Sequence, residues 1–157
     1  MKNDLQLMEE LKAAFPQLPI PQTISSSNRE ENQLACRMLE GKKWTELKRD
    51  EMQTIWGGAN ISSILTYLAP EAFCYYLPFF MDIAISGDGD ALDDLINNLS
   101  STNERTVARI RHLTEDQSRL VAEFVVECES LYSQNYVVNP FPALLSGYWE
   151  NFLPKRI

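Results

Sequence analysis

A single histidine, His112, would have to serve every catalytic or metal-binding arrangement that requires an imidazole. Serine and cysteine nucleophiles are commonly activated by a histidine base that a third group orients. His112 follows Arg109 and Arg111 and precedes Leu113, near the predicted end of a helix. At such a position a histidine interacts favourably with the helix dipole. A structural role therefore fits His112 better than catalysis, and we expect the protein not to be an enzyme.

The densest group of carboxylates comprises Asp88, Asp90, Asp93 and Asp94. Oxygen clusters of this kind bind hard cations such as Ca²⁺. An EF-hand loop, however, needs a glycine at its sixth position and a closing glutamate, and this segment has neither. A glycine turn followed by aspartates in the first turn of a helix is a common structural arrangement. We therefore expect no metal and no cofactor, and we keep Asp88 and Asp90 as candidate protein-binding residues.

A second group of carboxylates forms an acidic stripe on the helix predicted to start after Thr114. At about 100° per residue, Asp116, Glu123 and Glu127 fall within roughly 40° of one another, outside the apolar arc. Val126 also lies off that arc, so it has no evident role in the core. Such a stripe is typical of a helix face that binds a partner, although a solvated face with an incidental valine is the more common arrangement.

The overall charge favours one class of partner. Fourteen basic residues oppose twenty-two acidic ones, which gives a formal net charge of −8. This field repels nucleic-acid backbones and anionic lipids and attracts basic protein surfaces, although acidity can also serve solubility alone. No segment approaches the roughly 18 apolar residues of a membrane span, since the richest, residues 73–85, contains Pro78 and Asp82. We therefore expect a protein partner, no nucleic acid and no membrane.

The cysteines and the N-terminal residues indicate the compartment. Cys36, Cys74 and Cys128 are distant in sequence, odd in number and set mostly among apolar residues, as is typical of free thiols in a reducing cytosol. The first fifteen residues alternate charges with leucines and lack the apolar run of a signal peptide. These features predict a cytoplasmic protein.

The elements that must position these residues are helices, because apolar residues recur at helical spacing along most of the chain. An N-terminal helix within residues 1–15 has Leu7, Leu11 and Phe15 on one face and ends before Pro16. The Pro- and Ser-rich linker, residues 16–27, either straps this helix to the body or lets it swing. The main body is predicted over residues 28–157, within a single domain, 1–157.

Two capping boxes mark predicted helix starts. Ser27 is followed by Glu30, and Thr114 by Gln117, at the spacing that lets each pair satisfy two backbone amides. A more polar helix is predicted over residues 45–56, after which a glycine pair stops it and Asn60 can cap the next helix. Residues 105–113 fit neither the helical nor the strand period cleanly, and we favour a helix.

Prolines place two further helices. Pro70 suits the first turn of a helix that Pro78 then kinks or restarts, and Pro142 opens a last amphipathic helix that carries Trp149. The aromatic residues between 73 and 80 could line a ligand pocket, but their helical spacing favours the core. The predicted fold class is all-α, an irregular compact array of about seven or eight helices with no significant sheet.

The segment ILTYLAPEAFCYYLPFFM, residues 64–81, resembles a family of small bacterial proteins of unknown function with the core L-T-P-E-A-F-x-Y-Y-L-P. The W-x-x-L motif at Trp44 and the L-T-x-x-Q motif at Leu113 extend the resemblance to about residues 44–131. This chain departs from the pattern at Ala69, where threonine is usual, and so loses a helix cap. The resemblance implies a stand-alone accessory protein, and for some members an immunity protein encoded beside an antibacterial toxin.

We therefore expect a cytoplasmic immunity protein that neutralises a secreted antibacterial toxin by occluding its active site. A basic toxin domain, of the nuclease or ADP-ribosyltransferase type, would suit the acidic surface. The alternative is a structural or regulatory subunit of a protein complex that self-associates, as a possible homodimer, through exposed aromatic residues such as Trp149.

Overall fold

The computed structural model describes residues 4–25, 27–57, 61–87, 89–100 and 104–155. Within these ranges the chain is all-α, as predicted, with no strand. Its α-helices are α1 (Asp4–Ala14), α2 (Glu30–Leu39), α3 (Arg49–Trp56), α4 (Pro70–Ile85), α5 (Gly89–Leu99), α6 (Glu104–Ile110), α7 (Glu115–Tyr132) and α8 (Phe141–Leu145). Short 3₁₀ helices cover Trp44–Glu46, Ile61–Tyr67, Ser133–Asn135 and Trp149–Phe152.

Helix α4 lies at the centre of the fold and packs against α1, α5 and α6. Pro70 occupies its first turn, as predicted, and the helix continues through Pro78 without restarting. Phe73, Tyr76 and other apolar residues of α4 are fully buried, so the aromatic segment belongs to the core. The Tyr76 hydroxyl lies 2.7 Å from the Leu39 carbonyl, which fixes the C-terminal end of α2 against α4.

Helix α1 is docked on the main body, so of the two arrangements that the linker allowed, strapped or swinging, the structure shows the strapped one. Leu7, Leu11 and Phe15 are all buried in the core, as the helical spacing of the three residues requires. The Trp44 indole donates a hydrogen bond to the Phe15 carbonyl at 3.2 Å. The Tyr75 hydroxyl donates to the Gln17 carbonyl at 2.7 Å, so the start of the linker is a strap held to α4.

Two predicted helix starts in the first half of the main body are wrong. Helix α2 begins at Glu30 with Arg29 as its N-cap, because Ser27 Oγ accepts from the Arg29 amide in the preceding turn and does not cap the helix. The segment 45–56 divides into two helices, since Leu47 is extended and turns its side chain into the core. Residue Asn60, a predicted cap, lies outside the described residues.

The predicted C-terminal helix is also interrupted. α8 ends at Leu145 with Ser146 as its C-cap, and Gly147 adopts a φ of 81°, a left-handed conformation that separates the helix from the 3₁₀ turn Trp149–Phe152. Trp149 is completely buried, and its indole donates to the Leu99 carbonyl at 2.9 Å. Self-association through an exposed Trp149 is therefore wrong, because this side chain joins the C-terminal turn to α5.

Candidate functional site

Helix α7 is positioned by the capping box predicted at its start. Thr114 Oγ1 accepts from the Gln117 amide at 3.2 Å, and Gln117 Oε1 accepts from the Thr114 amide at 3.0 Å. The Gln117 side chain also donates to the Ala14 carbonyl at 3.0 Å, which ties the first turn of α7 to the end of α1. With Leu120 and Phe124 buried beneath it, α7 turns its polar residues toward α1 and solvent.

A groove of about 300 Å³ lies between α1 and α7. We call it the α1–α7 groove, and its lining residues are Glu10, Ala13, Ala14, Asp116, Arg119, Leu120 and Glu123. Three carboxylates thus surround an apolar floor of alanine and leucine, with one guanidinium among them. This arrangement suits a cationic side chain with an aliphatic stem, because the stem can cover the floor while the carboxylates meet the charge.

Arg119 modifies the acidic stripe in a way that the sequence analysis missed. Its guanidinium lies 3.2 Å from Asp116 Oδ1 and 3.5 Å from Glu115 Oε1, through the i,i+3 and i,i+4 spacings of the helix. The carboxylate side chains of both pairs are largely exposed, so each pair contributes little to stability. The carboxylates of Asp116 and Glu115 can therefore exchange the Arg119 guanidinium for a partner's cation at small cost.

Only part of the predicted stripe converges on the groove. Asp116 and Glu123 line it, whereas Glu127 and Val126 are not among the lining residues. Val126 is 40% exposed, as its position off the apolar arc predicted. Leu131 is 41% exposed, although it stands at helical spacing from the buried residues Phe124 and Cys128.

The predicted aspartate group at the start of α5 forms a separate place on the surface. Asp90 and Asp93 line a shallow pocket with Tyr132 and Tyr136, and Asp93 accepts a hydrogen bond of 2.6 Å from the Tyr136 hydroxyl. Asp88 lies outside the described residues. Within the ranges that the structure describes, no group of three histidine, cysteine or acidic side chains could hold a metal ion.

His112 borders a third cleft, of about 240 Å³, between the strap and α4. Glu71, Cys74 and Tyr75 line the same cleft, so the histidine does have a cysteine and a carboxylate as neighbours. The Cys74 thiol, however, donates to the Arg109 carbonyl at 3.1 Å, and burial raises its pKa to about 12. A thiol held in its protonated form is a poor nucleophile at neutral pH, so this cleft presents no activated cysteine.

Comparison with protein families decides the affiliation of the chain. The model of a family of unknown function, DUF6714, matches residues 24–153. The chain belongs to the DUF6714 family. Comparisons with curated proteins and with solved structures found no match.

Only one of the two walls of the groove lies within the region that matches the DUF6714 family. The match begins at residue 24, so the α7 wall with Asp116 and Glu123 lies inside it, whereas the α1 wall with Glu10 lies outside. The strap and the Gln117 contact bring α1 onto the DUF6714 region. No helix among the described residues is both long and apolar enough to cross a lipid bilayer.

The sequence alone did not predict that Glu10, Ala13 and Ala14 would line the groove. The stripe of Leu7 and Leu11 indicates that α1 is docked, but the stripe does not say which helix receives it. The pairing rests on the contact between Gln117 and Ala14, which are 103 residues apart. Contacts of such separation leave no local pattern in a single sequence.

Proposed function

We propose that this DUF6714 protein is an immunity protein, which binds a basic toxin domain in the cytoplasm and blocks the toxin's active site. The observation that supports the proposal most is the α1–α7 groove, in which Glu10, Asp116 and Glu123 surround an apolar floor. The groove would receive a lysine or arginine near the active site of a nuclease or ADP-ribosyltransferase type of toxin. Inhibition would then be steric and would need no chemistry from this chain.

Charge acts first at long range. A net charge of −8 on 157 residues attracts a basic domain over distances of about a Debye length, roughly 10 Å at 0.1 M salt. Such steering raises the association rate from about 10⁵–10⁶ M⁻¹s⁻¹ toward 10⁸ M⁻¹s⁻¹ or more at low salt. Rapid capture suits an inhibitor that must reach a toxin before the toxin acts.

Contacts in the groove act at short range. The floor, made by Ala13, Ala14 and Leu120, can pack against the methylene groups of an inserted lysine or arginine. The carboxylates of Asp116 and Glu123 can then accept charge-assisted hydrogen bonds from its cationic end. A cation held in this way would be withdrawn from the toxin's own substrate.

A second candidate function, a subunit of a complex that self-associates, is favoured by a different surface. Val137 and Val138 are fully or largely exposed, and Leu131 is 41% exposed near the end of α7. Tyr136 and Asn139 hold this loop by hydrogen bonds to Asp93 and to the Phe141 amide. If this function were the correct one, a Val137→Ser, Val138→Ser double variant would convert a dimer to a monomer in sedimentation experiments.

The proposal is tested by association kinetics with the toxin domain encoded beside this gene. The test variant, Asp116→Lys with Glu123→Lys, reverses two groove carboxylates. The control, Glu31→Lys with Glu40→Lys, makes the same charge change at two exposed positions, one in α2 and one at its C-cap. We expect the test variant to associate at least about tenfold more slowly than the control at low salt, with faster dissociation.

Two outcomes would contradict the proposal. The first is that the neighbouring protein does not bind or is not inhibited by the wild-type chain. The second is that the two variants slow association equally and leave dissociation unchanged. The groove carboxylates would then act only through their contribution to the net charge. Circular dichroism of both variants verifies that their folds are intact.

A further inference from the structure

Among the residues that the structure describes, no carboxylate pairs with a buried arginine of α6. Arg109 is only 4% exposed, and its two terminal nitrogens donate to the Leu65 carbonyl and to Asn98 Oδ1, each at 2.7 Å. Its guanidinium also lies 4.2 Å from the centre of the Phe73 ring. These partners are neutral, and within the described part of the chain no ion pair joins Arg109 to an acidic side chain.

The surroundings make this charge costly. Burial, together with the nearby charge of Arg105, lowers the pKa of Arg109 to about 10. The Nε atom of Arg109 is buried and has no hydrogen-bond partner among the described residues. A buried cation without an opposite charge is costly in general, so an anion beside it would be favoured.

A pocket of about 180 Å³ lies where such an anion would fit, between α2, α4 and α6. Its lining residues are Ser25, Ser27, Asn32, Tyr67, Leu68, Ala69, Pro70, Arg105, Ala108 and Arg109. Both arginines therefore face one pocket that is roomy enough for a small anion. None of these residues lines the α1–α7 groove.

Two serine hydroxyls of the pocket can act as hydrogen-bond donors. Asn32 is 6% exposed, and its amide donates to Ser25 Oγ at 2.6 Å and to the Tyr67 carbonyl at 3.2 Å. Ser25 and Ser27 each accept one hydrogen bond through their hydroxyl oxygens, which leaves the hydroxyl protons available to donate. Buried Asn32 thus holds Ser25 in place at the pocket wall.

The start of α4 adds the positive end of a helix dipole. Ala69 and Pro70 line the pocket, although the Ala69 amide donates to the Ile24 carbonyl and Pro70 has no amide hydrogen. The first amides of this sixteen-residue helix that lack an intrahelical partner are therefore those of Glu71 and Ala72, and the N-cap residue Ala69 offers them no side chain. The N-terminus of a helix carries a partial positive charge and orphan amide groups, which favour anions. The helix end and the two arginines therefore act on the same small volume.

We propose that this pocket binds a small oxyanion, a phosphate or carboxylate group, between Arg105, Arg109 and the N-terminus of α4. The anion would balance the buried guanidinium of Arg109 and accept hydrogen bonds from the Ser25 and Ser27 hydroxyls. Arg105, exposed at the rim and anchored through the Thr66 carbonyl, would close over it. The inference is independent of the proposed function, because the pocket and the groove share no residue.

The test is titration of the wild-type protein with inorganic phosphate and, separately, with acetate at constant ionic strength, followed by NMR and melting temperature. We expect saturable binding in the millimolar range or tighter, with shifts centred on residues 25–32, 69–72 and 105–109. Saturation by phosphate alone or by acetate alone would support the pocket and assign the class of anion.

Variants separate the pocket from general charge effects. Arg105→Gln should weaken anion binding about tenfold or more, because a charged hydrogen bond is lost. Arg111→Gln removes the same charge from an exposed position that does not line the pocket, and should change binding little. Ser25→Ala provides a second pocket variant that leaves both arginines in place. The proposal is overturned if neither anion saturates, or if Arg105→Gln and Arg111→Gln bind alike.

Discussion

Cys74 and Cys128 show how strongly burial raises the pKa of a thiol. Burial raises the pKa of each thiol to about 12, against an ordinary value of 9.0, and the charge of Arg109 lowers that of Cys74 only in part. Cys36, by contrast, is half-buried on α2. The three free cysteines therefore differ in reactivity although their sequence surroundings are similarly apolar.

This difference is measurable by thiol labelling near pH 8. We expect Cys36 to react rapidly with an aromatic disulfide reagent, while Cys74 and Cys128 stay protonated and shielded, so that they react only as the protein opens. A Cys36→Ser variant should lose the fast phase, and denaturant should expose all cysteines. Fast labelling of Cys74 in the native protein would contradict its assignment as a buried thiol.

At the scale of the elements, the two predicted capping boxes make a matched pair. Thr114 caps α7 through both of its hydrogen bonds, whereas Ser27 stands ahead of α2 without capping it. Thr114→Ala should therefore lower the free energy of unfolding by about 1 kcal/mol, and Ser27→Ala by clearly less. Denaturant melts of both variants measure the difference, and equal losses would mean that Ser27 does cap α2.

The contrast also shows what a single sequence can predict. The Thr114 box and the start at Pro70 depend on residues within one turn, so their local pattern was sufficient. The breaks at Leu47 and Gly147 were missed because they follow from burying Leu47 and Trp149 against distant parts of the chain. The candidate site was half predicted for the same reason: the α7 carboxylates follow helical spacing, but their α1 neighbours depend on tertiary docking.

At the scale of the whole molecule, buried thiol and phenol groups make the stability of the fold depend on pH in the alkaline range. The thiols of Cys74 and Cys128 keep their protons in the folded state up to a pKa of about 12, while in the unfolded chain they lose them near 9.0. The unfolded state thus binds fewer protons between these values, and stability must fall as the pH rises through this window. Burial also raises the pKa of Tyr76, which acts in the same direction.

Unfolding free energies measured from pH 8 to 11 test this linkage. Each such group contributes a slope of about −1.4 kcal/mol per pH unit between its two pKa values. A Cys128→Ala variant should show a shallower decline than the wild type, by about the contribution of one proton. Parallel curves for the two proteins would show that Cys128 does not hold its proton more tightly in the folded state.

The proposed function requires that the α1–α7 groove is the surface that binds a basic partner. Docking of α1 places Glu10 in the same groove as Asp116 and Glu123, and the net charge of −8 would draw a cationic domain toward them. Binding must then shield these carboxylates, while distant ones such as Asp50 and Glu51 on exposed positions of α3 stay accessible.

Carbodiimide labelling of carboxylates, read by mass spectrometry in the free protein and in a complex with the proposed toxin partner, tests this claim most directly. The account predicts that Asp116 and Glu123 are labelled in the free protein and become protected in the complex, with Asp50 and Glu51 unchanged. Undiminished labelling of Asp116 and Glu123 in a saturated complex would contradict it.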